Sequence, residues 1–181
     1  MEMEKRTPVL DGQGINTVLI RLAREIIQRH TNLEPLVIIG VHTRGVHLAR
    51  RLADIIAEIN GRAIPTGDID ITLYRDDWTK IGYSPVVQST QIGFPIDDKT
   101  VVLVDDVLFT GRTTRAALDA LTDFGRPAKV ELAVLVDREG MRELPIQADY
   151  VGMFVKTEKA EMVNVLLSET DSKDAVVVVK E

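Results

Sequence analysis

Cysteine is absent from the chain of 181 residues, which excludes a disulfide framework and catalysis by a thiol. Long apolar runs are also absent, since none approaches the roughly 20 residues that a membrane-spanning helix requires. The charged start, Met-Glu-Met-Glu-Lys-Arg, is unlike a signal peptide. We therefore expect a cytoplasmic protein with no membrane partner.

Positive charge is in short supply as well. The 22 Lys and Arg residues are outnumbered by 28 Asp and Glu residues, and the net charge is −6. Broad, sequence-independent binding of nucleic acid depends on many cations at phosphates, so this balance argues against it, while it leaves room for one local basic face. The histidines at positions 30, 42 and 47 show no metal-ligand spacing with carboxylates.

The composition is that of an ordinary globular domain, with 45% hydrophobic and 28% charged residues. The length predicts a single domain over residues 1–181. Apolar runs alternate with stretches of helical periodicity, which predicts an α/β fold with a doubly wound, mainly parallel sheet flanked by helices. One predicted helix begins at Asp11, and two others cover 45–59 and 112–124. The predicted strands cover 36–41, 69–74, 101–104, 130–136, 150–153, 163–167 and 175–179.

The segment from Val101 to Thr114 reads Val-Val-Leu-Val-Asp-Asp-Val-Leu-Phe-Thr-Gly-Arg-Thr-Thr. Four apolar residues run into the adjacent acids Asp105 and Asp106, and a turn around Gly111 leads into a predicted helix. Backbone N–H groups at a helix N-terminus, with nearby hydroxyls, suit a phosphate. Two carboxylates just upstream can accept hydrogen bonds from the vicinal hydroxyls of a ribose. The segment therefore predicts both halves of a ribose-phosphate site.

Other interpretations of this segment fit less well. A P-loop needs a Gly where Asp106 stands and a Lys where Arg112 stands, and a dinucleotide fingerprint needs three glycines where only Gly111 is present. A strand, turn and helix that bind nothing are common in α/β proteins. Adjacent like charges at a strand end repel each other, however, so a purely structural role explains them poorly.

The same segment resembles the phosphoribosyl diphosphate signature of the type I phosphoribosyltransferases. The resemblance implies that Asp105 and Asp106 bind the ribose hydroxyls and that the Thr-Gly-Arg-Thr-Thr loop binds the 5′-phosphate. It also implies the fold of that family, with a small hood and a flexible loop. The implied ribose and 5′-phosphate site consists of Asp105, Asp106, Val107, Leu108, Phe109, Thr110, Gly111, Arg112, Thr113 and Thr114.

A second polar turn, His42-Thr-Arg-Gly, follows the predicted strand at 36–41. Because the carboxyl ends of parallel strands share one edge of a sheet, we expect it near the acids. Its N–H groups and Arg44 suit a second phosphate; the alternative is an ordinary helix N-terminus with a surface arginine. The resemblance implies that Thr43, Arg44 and Gly45 form a pyrophosphate loop, with a cis non-proline peptide bond that we place at Thr43–Arg44.

A polar stretch at 76–92 is predicted to be a mobile loop or hairpin. Just before it, Arg75 can reach a diphosphate. Asp76 and Asp77 can hold Mg²⁺ through water, since Mg²⁺ takes few carboxylates and keeps several waters; the alternative for these acids is a solvated charged loop. The resemblance implies that this loop closes over the reacting centre. The implied catalytic group, with Mg²⁺ as its cofactor, consists of Arg44, Arg75, Asp105 and Asp106.

The base-binding end is implied by the resemblance alone. Arg138 ends a predicted strand and is expected near the base carbonyls. The hood begins at Tyr150, which is expected to stack on the base, while the backbone of Val151 bonds to its edge. The alternative for Tyr150 and Val151 is core packing. Purine-using members of the family carry an Asp where this chain has Phe109, which indicates a smaller, pyrimidine base.

Wider matches narrow the resemblance to the pyrimidine operon attenuator and uracil phosphoribosyltransferase family. They lie at 69–77, 104–113 and 132–146, within a resemblance that runs from Pro8 to Leu167. The resemblance implies a reaction of uracil with phosphoribosyl diphosphate (PRPP) that gives UMP and pyrophosphate, carried out by a homodimer or larger homo-oligomer. A phosphoribosyltransferase for another base is the alternative.

The family also regulates pyrimidine genes by UMP-dependent binding to leader messenger RNA, on a basic face that includes the first helix. The matching cations here are Arg21, Arg24 and Arg142. Three positions depart from the family pattern, with Ile20 in place of Thr, Gln147 in place of Arg and Met153 in place of Lys. Because the loss of cations from that face weakens its attraction for phosphates, the alternative is a salvage enzyme without an RNA-binding role.

Overall fold

The structure, a computed structural model, describes residues 5–76 and 88–180. In this part of the chain, three antiparallel strands form a small sheet, with β8 (Ala175–Lys180) between β1 (Lys5–Asp11) and β7 (Glu161–Leu166). The main sheet is parallel and has the strand order β3-β2-β4-β5-β6. Its strands are β2 (Leu36–Val41), β3 (Thr66–Ile69), β4 (Thr100–Leu108), β5 (Lys129–Arg138) and β6 (Tyr150–Val155).

Helices cover both faces of the main sheet. α1 (Gly12–Arg29) and α2 (Arg44–Asn60) share one hydrophobic core with the small sheet, and α3 (Arg112–Leu121) packs in a second core on the other face. A short helix, α4 (Ser168–Asp171), connects β7 to β8. This architecture confirms the predicted α/β fold. Among the described helices, none has both the length and the apolar character that crossing a bilayer requires.

Local signals set the helix boundaries. Asp11 caps α1, because its carboxylate accepts a hydrogen bond from the N–H of Gly14 at 2.8 Å. α2 ends at Gly61, whose left-handed φ of 78° favours glycine. α3 ends three residues before the predicted end at Phe124. The N–H of Phe124 bonds to the carbonyl of Leu121 in a tight turn that takes the place of another helical turn.

The predicted strand at 69–74 is wrong. β3 ends at Ile69, and Thr72–Tyr74 forms one turn of 3-10 helix. The carboxylate of Asp70 accepts hydrogen bonds from the N–H and the hydroxyl of Thr72, at 2.9 and 2.6 Å. Such short-range bonds compete with an extended strand. The sequence pattern also does not reveal β1, because that strand depends on pairing with β8 at the far end of the chain.

The two adjacent acids of β4 lie beyond the part of this strand that pairs with β2. β4 pairs with β2 only as far as Val104, but it pairs with β5 as far as Leu108. The apolar run predicted a strand end at Val104, whereas the structure continues the strand through Asp105 and Asp106. Because the pairing with β2 stops at Val104, the acids lie at the carboxyl edge of the sheet while β5 still pairs with this part of β4.

A buried carboxylate lies at the opposite, amino edge of the sheet. Glu131 in β5 is 0% exposed. It accepts hydrogen bonds from Lys129 Nζ and the Tyr150 hydroxyl, both at 2.6 Å, and it lies 2.8 Å from His30 Nε2. Burial by itself raises the pKa of a carboxyl, but these bonds outweigh it and lower the pKa of Glu131 to about 2. The network ties the end of α1 to β5 and β6.

We expect Glu131→Gln to lower the free energy of unfolding by about 2 kcal/mol at pH 7, because the charged acceptor of these bonds is lost. A carboxylate with a lowered folded-state pKa stabilises the fold fully above its ordinary pKa of 4.5 and loses that contribution as the pH falls towards 2. The difference between wild type and variant should therefore shrink by about half between pH 7 and pH 3. Urea unfolding at both pH values measures it, and a difference that is independent of pH would contradict this account.

Candidate active site

The two acids at the carboxyl edge have different surroundings. Asp105 is buried, and its Oδ1 accepts a hydrogen bond from the N–H of Asp106 at 2.9 Å. Asp106 is half-buried, and its Oδ1 accepts from the N–H of Val107 at 2.8 Å. Burial, and after it the charge of Asp106, raises the pKa of Asp105 well above its ordinary range. Hydroxyl donors or a cation brought by a ligand would therefore relieve an unfavourable pair of charges.

A cavity of about 340 Å³, which we call the loop cavity, opens over the segment that follows the acids. Gly111 has a φ of 94°, a left-handed conformation that glycine adopts without strain. It directly precedes α3, whose first N–H groups have no acceptor within the helix. The loop cavity therefore presents N–H and hydroxyl donors to an anion. Its lining comprises Arg75, Val107, Leu108, Phe109, Thr110, Gly111, Arg112, Thr113, Thr114 and Glu143.

A second cavity of about 430 Å³, which we call the edge cavity, lies between the acids and the start of α2. It shares Arg75, Val107 and Thr113 with the loop cavity, so the two adjoin beside the acids. The structure thus brings the predicted residues of three separate segments together. Asp70, Thr72 and Gln88 also line this cavity, although no site role was predicted for them. The lining comprises His42, Thr43, Arg44, Asp70, Ile71, Thr72, Arg75, Gln88, Asp105, Asp106, Val107 and Thr113.

The non-proline cis peptide bond joins His42 and Thr43, one residue before the bond that we predicted, Thr43–Arg44. Arg44 is already the first residue of α2, and Thr43 has helical backbone angles, with φ −100° and ψ −48°. The turn between β2 and α2 therefore consists of His42 and Thr43 alone, and the cis bond lies within it.

α2 begins in direct contact with β4. A Cβ atom at Gly45 would lie 2.5 Å from the carbonyl oxygen of Val104 and 3.2 Å from the Cα of Asp105. Glycine is therefore required here, because any side chain would push α2 away from the acids. Although Gly45 does not line either cavity, its lack of a side chain lets Thr43 and Arg44 reach the edge cavity.

The structure does not place Asp76 at the edge cavity, where the predicted Mg²⁺ role would need it. Its carboxylate accepts a hydrogen bond from Arg112 at 2.5 Å and lies 4.0 Å from Arg115. Two arginines of α3 thus hold Asp76 beside the loop cavity. Asp77 lies outside the described residues. Within residues 5–76 and 88–180, no group of three or more acidic or histidine side chains is arranged to hold a metal ion.

Neither Tyr150 nor Val151 lines the loop cavity or the edge cavity. The stacking predicted for Tyr150 is wrong because its ring is buried, whereas the contact predicted for the backbone of Val151 stays a prediction. Tyr150 is 1% exposed, and its hydroxyl donates to Glu131. The carbonyl of Val151 accepts from Arg21 at 3.1 Å. β6 begins level with the middle of β5, so that Tyr150 is in register with Ala133 and Val151 with Val134, and β5 separates both residues from the acids on β4. The alternative of core packing is therefore the correct one for Tyr150.

Arg138 and Phe109 meet at the carboxyl edge. The guanidinium carbon of Arg138 lies 3.8 Å from the centroid of the Phe109 ring. Its Nε donates to the hydroxyl of Thr157 at 3.0 Å, and its Nη2 donates to the carbonyl of Glu161 at 2.8 Å. Burial lowers the pKa of Arg138. Thr157 and Glu161 carry no sequence signal of a site, and only their contact with Arg138 reveals their place.

Two of the three arginines that were predicted to bind RNA have hydrogen-bond partners within the molecule. Arg142 donates to the carboxylate of Asp137 at 2.7 Å and to the carbonyl of Phe109. Arg21 donates to a glutamate one helical turn further along α1, at 2.6 Å, and to two carbonyls of β6. Arg24 is exposed on α1. Of the three, Arg24 therefore presents the most accessible charge.

Adjacent acids beside two adjoining anion cavities, at the carboxyl edge of a parallel sheet, define a type I phosphoribosyltransferase, and the model of the phosphoribosyl transferase domain matches residues 6–168. The chain is 97% identical over 178 residues to the bifunctional protein PyrR of Desulfosudis oleivorans, covering 98% of each chain. It is 52% identical to that of Clostridioides difficile, covering 97% of this chain and 99% of the relative. The chain therefore belongs to the PyrR proteins of the phosphoribosyltransferase family.

Solved structures of hypoxanthine phosphoribosyltransferases share the fold. A mutant of the Trypanosoma cruzi enzyme in a ternary substrates complex has a TM-score of 0.76 at 20% identity, covering 99% of this chain and 97% of that one. The Staphylococcus aureus enzyme has a TM-score of 0.71 at 20% identity, covering 97% and 92%. At these identities the likeness shows the fold alone.

We expect Gly45→Ala to lower the free energy of unfolding by about 2–3 kcal/mol, because the added methyl group overlaps the backbone of β4. Urea unfolding measures this loss. The matched control is Gly93→Ala, where an added Cβ would meet no atom within 4 Å and stability should hold. Equal unfolding midpoints for the two variants would show that the contact between α2 and β4 is not as tight as described.

Proposed function

We propose that the chain transfers the phosphoribosyl group of PRPP to uracil, which gives UMP and pyrophosphate. The observation that carries this proposal is the position of Asp105 and Asp106 beside the point where the loop cavity and the edge cavity adjoin. A ribose with phosphate groups at both ends fits this arrangement. Its 5′-phosphate would take the loop cavity, with donors from residues 110–114, and its diphosphate would take the edge cavity, with Thr43, Arg44 and Arg75.

The ribose hydroxyls are proposed to donate to Asp105 and Asp106. These carboxylates also fit Mg²⁺ bound together with the diphosphate, since Mg²⁺ takes one or two carboxylates along with phosphate oxygens and water. When bound, the ion would neutralise charge on the leaving diphosphate. We propose the two acids of β4 as its protein ligands in place of Asp76, whose carboxylate is paired with Arg112.

The protein residues then serve mainly to position the reactants and to stabilise charge. The bond from C1′ to the diphosphate breaks with its electron pair on oxygen, through a transition state that resembles an oxocarbenium ion. Uracil N1 bonds to C1′ and gives up its proton, which passes to the released diphosphate or to water. Arg44, Arg75 and the N–H groups of the turn before α2 stabilise the charge that develops on the leaving group. Binding at both ends of the ribose holds C1′ in place for the base.

The base end supports a pyrimidine as the acceptor. Phe109 is 37% exposed, and its ring offers an apolar surface at the carboxyl edge. Arg138 lies over this ring, and its own hydrogen bonds to Thr157 and Glu161 hold it there. We propose that uracil binds against Phe109, close to the segment that leads into β7. Tyr150 and Val151 have no part in this proposal.

The double variant Asp105→Asn with Asp106→Asn should lower UMP formation by about a thousandfold while the protein stays folded, because neutral amides cannot supply the charge that the ribose site needs. Circular dichroism and UMP formation from uracil and PRPP measure the two properties. The matched control replaces Asp97 and Asp98, two adjacent acids just before β4, by Asn. It also removes two negative charges, and it should preserve turnover. Normal turnover by the folded Asp105/Asp106 variant would overturn the site; preference for another base would overturn uracil as the substrate.

A second function, UMP-dependent binding to leader RNA of pyrimidine genes, is also proposed. It is supported by the word "bifunctional" in the names of the relatives and by the exposed cation Arg24 on α1. The internal partners of Arg21 and Arg142 reduce what these two residues can offer to phosphates. If RNA binds on this face, Arg24 should therefore be the main cation of the three.

Retention of a pyrimidine-operon leader hairpin, compared with a scrambled hairpin across a salt series, tests this second function. We expect tighter retention of the leader hairpin in the presence of UMP. Arg24→Gln should reduce the salt dependence by about one phosphate contact. Arg62→Gln, which changes another exposed arginine just after α2, should leave the salt dependence unchanged. Equal retention of both hairpins at every salt concentration would leave a salvage enzyme only.

A further inference from the structure

Arg44 stands at an unfavourable place for a cation. It is the first residue of α2, where the helix dipole is positive. The carboxylate of Asp171, 127 residues further along the chain, compensates for this. Arg44 Nε and Nη2 donate to Asp171 Oδ2 and Oδ1 at 3.2 and 2.8 Å. This pair raises the pKa of Arg44 and lowers the pKa of Asp171 to about 2.

Asp171 is itself fixed in place. Its Oδ2 accepts hydrogen bonds from the N–H of Leu167 at 2.9 Å and from the hydroxyl of Thr170 at 2.8 Å. Its side chain is only 19% exposed. Asp171 is thus a carboxylate anchored by α4 and not a mobile surface acid. Arg44, which it holds, lines the edge cavity.

We propose that Asp171 is a positioning residue for the diphosphate. It holds the guanidinium of Arg44 at the wall of the edge cavity, so that binding does not have to order a long, flexible side chain. The pair with Asp171 engages Nε and Nη2, and Nη1 then remains for the diphosphate. This inference rests on the proposed function, in which Arg44 binds the diphosphate.

A second ion pair between the same two segments provides a matched control. Arg51, two helical turns beyond Arg44, donates to Asp174 at 2.7 and 2.9 Å. Asp174 also accepts from the N–H of Ser168 at 2.7 Å, much as Asp171 accepts from Leu167. Arg51 does not line the edge cavity. Asp174→Asn therefore removes one bidentate pair between α2 and the segment around α4, while Arg51 keeps its bonds to Glu169 at 2.9 and 2.6 Å and Arg44 is untouched.

The experiment compares steady-state kinetics of the two variants. Asp171→Asn should raise both the KM for PRPP and the inhibition constant of pyrophosphate about tenfold, and it should lower kcat because Arg44 also stabilises the leaving group, while the KM for uracil stays within about twofold of wild type. Asp174→Asn should leave all four values within about twofold. Asp171→Glu, which keeps the charge, should recover most of the lost affinity. Equal effects of the two Asn variants, or no effect of Asp171→Asn, would overturn the proposal.

A double-mutant cycle separates positioning from direct action. If Asp171 acts only through Arg44, then Asp171→Asn should add nothing to the weaker pyrophosphate inhibition of Arg44→Ala. A full additional loss in that background would overturn the proposal. If Arg44→Ala itself leaves pyrophosphate inhibition unchanged, the diphosphate role of Arg44 fails and the inference fails with it. The Asp105/Asp106 variant still reports separately on the ribose site, so the two failures are distinguishable.

Discussion

The site depends on two like charges that the backbone forces side by side. Asp105 and Asp106 cannot separate, because the register of β4 against β5 holds both in the last part of the strand. Burial and mutual repulsion raise the pKa of Asp105, so the pair is most favourable when donors or a cation approach it. The surrounding elements leave room for such a ligand. The pairing of β2 with β4 stops at Val104, α2 starts in contact with β4, and the loop before α3 lines a cavity on the other side of the acids.

The arginines around this pair are held by fixed acceptors. Arg44 is paired with Asp171, Arg112 with Asp76 and Glu143, and Arg142 with Asp137. Each pair keeps a guanidinium ordered before any ligand arrives, which lowers the entropy lost on binding. Internal pairing also limits the charge that the surface offers to RNA, in keeping with a net charge of −6. A substrate rich in phosphate therefore meets cations whose positions are already set.

The polar side chains at the two edges of the main sheet have different roles, structural at the amino edge and accessible to ligands at the carboxyl edge. At the amino edge, the side chains of Glu131, His30 and Tyr150 form a buried network that joins α1 to two strands. At the carboxyl edge, the polar side chains line open cavities. This division explains why a strand residue that looks functional in sequence can be structural, since its role depends on which end of its strand it occupies.

Most strands and helices, the adjacent acids with their loop and the turn before α2 could be predicted from the sequence, because each depends on a local pattern such as periodicity, a helix cap, a glycine or adjacent charges. The three-dimensional structure was needed to show that 69–74 is not a strand, that β1 exists and that Tyr150 lies in the core. It was also needed to show that Asp171 holds Arg44 and that Thr157 and Glu161 hold Arg138. These features depend on strand direction, on register and on pairings between distant segments, and no local pattern of residues encodes which distant side chain fills a given space.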